Sequence, residues 1–297
     1  MQKRILALPG MGDLYWLFTK MESFIEHEQL AEPPLIYTWE LQPHKRSRSK
    51  DYINRVPFVE YGGEYDSPTD ASFDSLYFGK EWKIAPYKGF DYFLSMNGIL
   101  RNGISLETGN LGKLKTNWFF ELAPTQGSST DYTKIFGRYI LAYFTAGEMY
   151  NTWLKSLSLQ QIYQLLSVIA KETSRIIVLT GSHWDTATAK QLLAMDVNNC
   201  LRDATGTTNI DQFFNLVEQA DGMIGWAAGN TIMSARLRKP TLIIWSKYFT
   251  NEGFFRNCVP PQHEHKWHDI AVVERDSVNM ITQKMITLIQ QGQTNVN

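Results

Sequence analysis

Strand-like and helix-like segments alternate through the second half of this chain, and the alternation limits the folds open to it. Short apolar runs bounded by turn residues are typical of buried strands, and longer segments with apolar residues three and four positions apart are typical of helices. The predicted strands are 138–144, 175–180, 199–201, 222–225 and 241–245, and the predicted helices are 157–171, 186–195, 210–219, 230–237 and 277–291. Such alternation favours parallel sheets with helices on both faces. We therefore predict an α/β fold of doubly wound parallel sheets.

The first half of the chain is less regular. Its predicted elements are strands at 4–8, 35–40, 58–61 and 91–96 and a helix at 14–28. Residues 61–88 show no clear period and are interpreted as a long functional loop. The Pro-, Gly-, Ser- and Thr-rich stretch 123–134 is typical of a linker. We expect two Rossmann-like domains, at 1–130 and 131–297, with the last helix of the second packing back on the first.

Composition excludes several classes of protein. The formal net charge is −1, so no global field attracts the chain to nucleic acid or to anionic lipid. Two cysteines exclude a disulfide framework and favour a reducing compartment. No apolar run approaches the length of a membrane span. The sequence predicts a cytoplasmic protein, and a peripheral position at the inner membrane face stays open.

Candidate functional residues follow the predicted strands. Ligands of doubly wound folds bind outside the carboxyl ends of the strands, so we expect the two domains to face a central cleft at these ends. The residues concerned are Gly12 and Asp13 after the first strand, Thr145 after the first strand of the second domain, and Gly229, Asn230 and Thr231 after strand 222–225.

Asp13 is the candidate catalytic residue. An apolar strand runs into the turn Pro9-Gly10-Met11-Gly12, whose glycines let the backbone approach a ligand closely. A carboxylate in this place can act as a general base. An Asp at the start of a helix is also a common N-cap, so a purely structural role remains the alternative.

The small-residue loop 227–231 opens a predicted helix. Free backbone N–H groups and the positive end of the helix dipole favour a phosphate at such a place. The alternative is a simple helix cap, because one glycine is a weak signal.

The segment 203–246 resembles the nucleotide-sugar-binding half of glycosyltransferase family 9, the lipopolysaccharide heptosyltransferases. An apolar helix, the pair Ala220-Asp221, a buried strand, the loop with Gly229, a small-residue helix and the strand at Lys239-Pro240-Thr241 follow in the family's order. Asp13 matches the acid that the family uses as its catalytic base. The resemblance implies the GT-B architecture, in which an acceptor-side domain (1–130) and a donor domain (131–297) face a central cleft.

The resemblance also implies an activity. It points to an inverting, metal-independent hexosyl- or heptosyltransferase that needs no cofactor and moves a sugar from a nucleotide sugar to a saccharide or lipid-linked saccharide acceptor of the lipopolysaccharide or surface-glycan type. Asp13 would be the base, and Lys45, Arg46 and Arg48 of the basic loop would bind the acceptor. The donor-binding residues would be Gly12, Thr145, Lys155, Gly181, Gly229, Asn230, Thr231 and Lys247.

Two other functions stay open. The basic loop 44–50 would suit an enzyme that glycosylates modified DNA bases, as some viral enzymes do, although the net charge argues against nucleic acid. Family members usually carry an acid and a Thr just before the loop glycine and a His shortly after it, whereas this chain has Ala227, Ala228 and Ile232. These differences are the reason to consider a non-catalytic nucleotide-sugar-binding protein.

The His-rich segment 263–269 is the remaining cluster of polar residues. It contains three His, a Glu and an Asp, but their spacing fits no common zinc pattern. We predict a solvated loop there and no metal site.

Overall fold

The computed structural model describes residues 2–7, 10–39, 49–65, 90–94, 114–124, 130–144, 156–246, 259–260 and 267–294. The chain forms two compact units, Met1–Thr125 and Gln126–Asn297. The boundary between the units falls inside the stretch 123–134, which has the composition of a linker.

The first unit contains a four-stranded parallel sheet. Its strands are β1 (Arg4–Ala7), β2 (Leu35–Trp39), β3 (Glu60–Tyr65) and β4 (Tyr92–Leu94), in the spatial order β3-β2-β1-β4. β1 lies between β2 and β4, and its residues Ile5 and Leu6 are completely buried. Of the two inner strands of this sheet, β1 is therefore the one that leads toward Asp13.

Two helices of the first unit are α1 (Met11–His27) and α2 (Ser49–Ile53). α1 buries apolar residues along its length, among them Leu14 and Phe18, and the segment 114–124 lies beside it. The N–H of Asn117 donates to the carbonyl of Thr19 at 2.7 Å, and the hydroxyl of Tyr15 donates to the carbonyl of Trp118 at 3.0 Å. These bonds fix the helix that carries Asp13.

The predicted start of this helix, at Leu14, is wrong. α1 begins at Met11 because Gly10, with φ −68° and ψ 138°, is extended and is the N-cap residue. The N–H of Leu14 donates to the carbonyl of Gly10 at 2.9 Å and closes the first turn. Asp13 is therefore the third residue of the helix, not its N-cap.

The second unit contains a six-stranded parallel sheet. Its strands are β5 (Tyr139–Tyr143), β6 (Ile176–Leu179), β7 (Leu201–Asp203), β8 (Gly222–Trp226), β9 (Thr241–Trp245) and β10 (His268–Val272). Their spatial order is β10-β9-β8-β5-β6-β7, which is the strand order 3-2-1-4-5-6 of the dinucleotide-binding fold.

Helices cover both faces of this sheet. They are α3 (Tyr132–Phe136), α4 (Leu159–Thr173), α5 (Thr186–Ala194), α6 (Ile210–Gln219), α7 (Gly229–Arg236) and α8 (Val278–Thr294). Reciprocal bonds between side chain and backbone cap two of them, through Ser158 with Gln161 in α4 and Asn209 with Gln212 in α6. The prediction of doubly wound parallel sheets is confirmed.

The faces can be assigned from β8 and its neighbours. α8 packs on α4, β9 and β10, and a Cβ atom at Gly222 would lie 2.6 Å from Cδ1 of Ile289 in α8. Successive side chains of a strand point to opposite faces, so Met223 points away from the face on which Gly222 lies. Thr241 in β9 pairs with Met223 and shares its face. The hydroxyl of Thr241 lies 2.8 Å from that of Ser234 in α7, so α7 lies on this face too. α8 and α4 thus cover one face and α7 covers the other. Packing of α8 on the first unit stays a prediction.

β10 corrects the prediction for the His-rich segment. We expected a solvated loop over 263–269, but β10 begins at His268, which is only 3% exposed, and pairs with β9 along its whole length. Residues 263–266 lie outside the described residues. The strand was missed because His268 and Asp269 look polar, although the sheet buries the first of them.

Side chains occupy the outer backbone edge of β10. The N–H of Ile270 donates to Asp269 at 2.7 Å, and the N–H of Val272 donates to Asp276 at 3.0 Å. The ammonium of Lys284 lies 3.4 Å from the carbonyl of Ile270 and 2.8 Å from Asp276. Such bonds oppose the addition of another strand.

Across the described ranges, no helix combines the length and the apolar composition that crossing a bilayer requires.

Candidate active site

The strand order reverses at one place in each sheet. In the first unit the reversal lies between β1 and β4, and in the second it lies between β5 and β8. In folds of this kind ligands bind outside the carboxyl ends of the strands at such a switch point. The chain segments that leave β1 and β8 therefore lie where ligands of such folds bind.

Asp13 lies in the first turn of the helix that follows β1. Its Oδ2 atom folds back over the α-carbon of Gly10, where a Cβ atom would be only 2.1 Å away. Gly12, a predicted donor-binding residue, is buried in the same turn. The turn thus needs a glycine at position 10 to accommodate the carboxylate.

The pKa of Asp13 is shifted toward neutrality. Burial raises it from the ordinary 3.8 to about 7, although the bond from the residue's own backbone N–H opposes the shift. A carboxylate with a pKa close to the working pH is well matched to general-base catalysis. Asp13 thus combines a place in the first turn after β1 with a raised pKa.

The start of α7 lies at the carboxyl end of β8. Its N-cap residue is Ala228, which has no side-chain oxygen, so the amides of the first turn are left for another acceptor. Gly229 and Asn230 are partly exposed there. The helix dipole adds partial positive charge, and the place suits a phosphate.

Thr231 shapes this turn from inside. Its side chain is completely buried, and its hydroxyl lies 3.2 Å from the N–H of Ala228, 2.9 Å from the carbonyl of Trp226 and 3.0 Å from the carbonyl of Ala228. The hydroxyl is thus used within the protein. Only the backbone amide of Thr231 fits the predicted contact with a donor.

Gly181 follows β6 and has an internal role. Its φ is +156°, and a Cβ atom would lie 2.6 Å from Oδ2 of Asp185, which accepts a 2.7 Å bond from the N–H of Ser182. Its carbonyl accepts a 2.9 Å bond from Gly206 after β7. The glycine is therefore explained by its positive φ and by the carboxylate of Asp185, which folds back over it, and its predicted donor contact stays a prediction.

A chain of three side chains at the same edge of the second sheet was missed in the sequence. The hydroxyl of Ser156 donates to that of Ser246 at 2.7 Å, and the hydroxyl of Ser246 donates to Glu274 at 2.6 Å. Ser246 is completely buried, whereas Ser156 is partly exposed. Residues 156 and 246 are the sequence neighbours of the predicted cations Lys155 and Lys247.

Six predicted site residues lie outside the described residues. They are Lys45, Arg46, Arg48, Thr145, Lys155 and Lys247. Of the others, the structure brings Gly12 and Asp13 together in α1, and Gly229, Asn230 and Thr231 together in α7.

Solved structures share this fold over the whole chain. The ADP-heptose lipopolysaccharide heptosyltransferase II of Escherichia coli is 13% identical and matches with a TM-score of 0.63, over 99% of this chain and all of that one. A family 9 glycosyl transferase from Veillonella parvula is 9% identical, with a TM-score of 0.62 over 97% of both chains. The E. coli heptosyltransferase WaaC with ADP is 11% identical, with a TM-score of 0.51 over the whole of both chains.

Sequence comparisons add nothing to this likeness. No family model matches the chain, and no curated protein matches it. At these identities the structures show the fold alone, and it is the fold of the family 9 heptosyltransferases. The resemblance seen at residues 203–246 is therefore confirmed at the level of architecture.

Proposed function

We propose that this protein is a glycosyltransferase that uses a nucleotide sugar, because it has the heptosyltransferase fold and an Asp of near-neutral pKa after its first strand. The observation that carries the proposal is Asp13, since burial raises its pKa to about 7 at the switch point of the first sheet. The acceptor is a saccharide or a lipid-linked saccharide.

The proposed reaction is a single displacement with inversion and without a metal. Asp13 takes the proton of the acceptor hydroxyl as the oxygen of that hydroxyl attacks the anomeric carbon of the donor sugar. The bond from that carbon to the diphosphate oxygen breaks, and the diphosphate leaves with the electron pair. The backbone amides of Gly229, Asn230 and Thr231 stabilise the leaving charge.

The partly exposed start of α7 supports diphosphate binding. Ala228 offers the helix no side-chain cap, and the buried hydroxyl of Thr231 holds the turn in shape. Lys155 and Lys247 are proposed to add positive charge, and Thr145 and Gly181 to contact the donor. Lys45, Arg46 and Arg48 are proposed to bind the acceptor.

Donor binding is tested first. The protein is mixed with ADP, UDP, ADP-heptose or UDP-N-acetylglucosamine, and its melting temperature is recorded. A ligand that binds only the folded form raises stability by about 2.7 kcal/mol at a hundred times its dissociation constant. With GDP, dTDP and CDP and their sugar conjugates added to the set, absence of stabilisation by every compound would refute nucleotide-sugar binding.

Turnover is tested next, by release of nucleoside diphosphate in the presence of saccharide acceptors. Asp13→Asn should lower turnover by about 10²- to 10⁴-fold and leave donor binding intact. Asp51→Asn is the matched control, because Asp51 is an exposed acid in the first turn of another helix of the same unit. Equal turnover in Asp13→Asn and wild type would remove Asp13 from the mechanism.

The two alternatives give different results in these assays. Donor binding without release of nucleoside diphosphate from the donor, whichever acceptor is present, would favour the non-catalytic binding protein. Transfer to DNA that contains modified bases, together with DNA binding that weakens steeply with salt, would favour the DNA-modifying enzyme.

A further inference from the structure

The hydrogen-bonded chain of Ser156, Ser246 and Glu274 lies where the proposed donor would bind. Trp226 of β8 pairs with Ile244 of β9. Ala228 lies two residues after Trp226, and Ser246 lies two residues after Ile244. Neighbouring strands are about 4.8 Å apart. Ser246 therefore lies beside the N-cap of α7, where the proposed diphosphate site begins.

Ser156 approaches this place from the other face of the sheet. Ser156 lies two residues before Ser158, the N-cap of α4. α4 packs with α8 on the face of the sheet opposite α7. Its 2.7 Å bond to Ser246 brings it to the carboxyl end of β9. Ser156 and the start of α7 thus approach the ends of β8 and β9 from opposite faces.

The carboxylate of Glu274 sets the direction of the hydrogen bonds. An ionised carboxylate only accepts, so Ser246 donates its proton to Glu274 and accepts from Ser156. Ser156 then has no proton left to donate, and its oxygen can only accept. Within the part of the chain that the structure describes, no group donates to this oxygen, and the side chain is partly exposed.

We propose that the hydroxyl oxygen of Ser156 accepts a hydrogen bond from a hydroxyl group of the nucleotide-sugar donor, and that Ser246 and Glu274 are positioning residues that hold it in this orientation. The role rests on the proposed function. The donor carries hydroxyls on its ribose and on the transferred sugar, and both are chemically suitable partners.

Four variants test the role. Ser156→Ala removes the acceptor, Ser246→Ala removes the residue that orients it, and Glu274→Ala removes the group that sets the direction. Glu274→Gln keeps an oxygen that accepts from Ser246. Ser234→Ala is the matched control, because Ser234 is also completely buried and hydrogen bonded to β9, but through Thr241 at the opposite end of the strand.

Affinity is measured by calorimetry for the nucleotide sugar that binds wild-type protein and for the corresponding nucleoside diphosphate. Ser156→Ala, Ser246→Ala and Glu274→Ala should each weaken binding of the nucleotide sugar by roughly three- to tenfold, whereas Glu274→Gln and Ser234→Ala should bind as wild type does. In turnover assays KM for the donor should rise and kcat should stay unchanged. A purely structural defect would not raise KM for the donor while leaving kcat unchanged.

Comparison of the two ligands shows whether the hydroxyl that donates to Ser156 belongs to the ribose or to the transferred sugar. A loss for the nucleotide sugar alone assigns the bond to the transferred sugar, and an equal loss for both ligands assigns it to the ribose. Wild-type affinity of Ser156→Ala for both ligands would overturn the role, as would an equal loss in Ser234→Ala. If neither ligand binds wild-type protein, the proposed function itself fails and the role of Ser156 fails with it.

Discussion

The carboxylate of Asp13 lies over the α-carbon of Gly10, so close that a Cβ atom on residue 10 would be 2.1 Å from Oδ2 of Asp13. The φ of Gly10 is −68°, which any residue adopts, so the backbone does not require glycine there. The requirement comes from the carboxylate. The two residues therefore act as one unit at the start of α1.

Gly10→Ala tests this contact. The methyl group must displace the Asp13 carboxylate, so we expect a loss of about 1 to 3 kcal/mol in the free energy of unfolding and a fall in turnover. In an Asp13→Ala background the same change should be nearly neutral. Urea denaturation of the four proteins gives the coupling energy. Equal costs of Gly10→Ala in both backgrounds would contradict the contact.

The raised pKa of Asp13 predicts how stability depends on pH. The folded protein holds the proton up to about pH 7, whereas the unfolded chain releases it near the ordinary value of 3.8. Stability from this group is therefore complete below pH 4, declines as pH rises toward 7, and is lost above it. Asp13→Asn should match wild type near pH 3.5 and become the more stable protein at pH 8, by on the order of a few kcal/mol.

Thermal unfolding of both proteins from pH 3.5 to 8.5 measures this difference. A constant difference in melting temperature across the range would show that Asp13 titrates normally. In wild-type protein kcat/KM should rise with pH through about 7, because only the ionised carboxylate takes a proton.

The buried hydroxyl of Thr231 should matter for stability and for donor binding. Thr231→Val keeps the shape but leaves the N–H of Ala228 and the carbonyl of Trp226 without the hydroxyl. We expect a loss of about 1 to 3 kcal/mol in the free energy of unfolding and weaker binding of nucleoside diphosphate. Thr231→Ser keeps the hydroxyl and is the control. Equal behaviour of the two variants in denaturation and calorimetry would argue against this role.

The side chains along β10 should keep its edge from pairing. Asp269→Ala combined with Asp276→Ala removes the acceptors of the outward N–H groups of Ile270 and Val272. We expect the double variant to self-associate more than wild type in sedimentation velocity runs. Glu26→Ala with Glu32→Ala changes the net charge equally at exposed positions of the first unit. Indistinguishable sedimentation of the two double variants would count against edge protection.

Local signals in the sequence predicted some elements of the second unit to the residue. α6 at Ile210–Gln219 follows Asn209, which caps it together with Gln212, and β9 at Thr241–Trp245 is a run of buried apolar residues. Both elements are determined by residues that are neighbours in the sequence, so a local sequence pattern is enough to predict them. The early start of α1 was missed because Gly10 caps with its backbone and has no side chain to reveal it.

The site was predictable only in part. Asp13 and the loop at Gly229 stand out because each follows a recognisable strand, but the raised pKa of Asp13 depends on burial, which the sequence does not contain. The bond between Ser156 and Ser246 joins residues 90 positions apart, and neither serine is unusual in its local sequence. Contacts of this kind arise only when the sheet has assembled.

The position of α8 has a consequence for how the protein is made. Met285 and Ile289 lie against Gly222 in the middle of the larger sheet, although they are synthesised long after it. A nascent chain that has completed β9 already contains α4, but it still lacks α8, which covers the rest of this face of the sheet. Until Ile289 has been synthesised, the apolar surface around Gly222 is open to contacts with other chains.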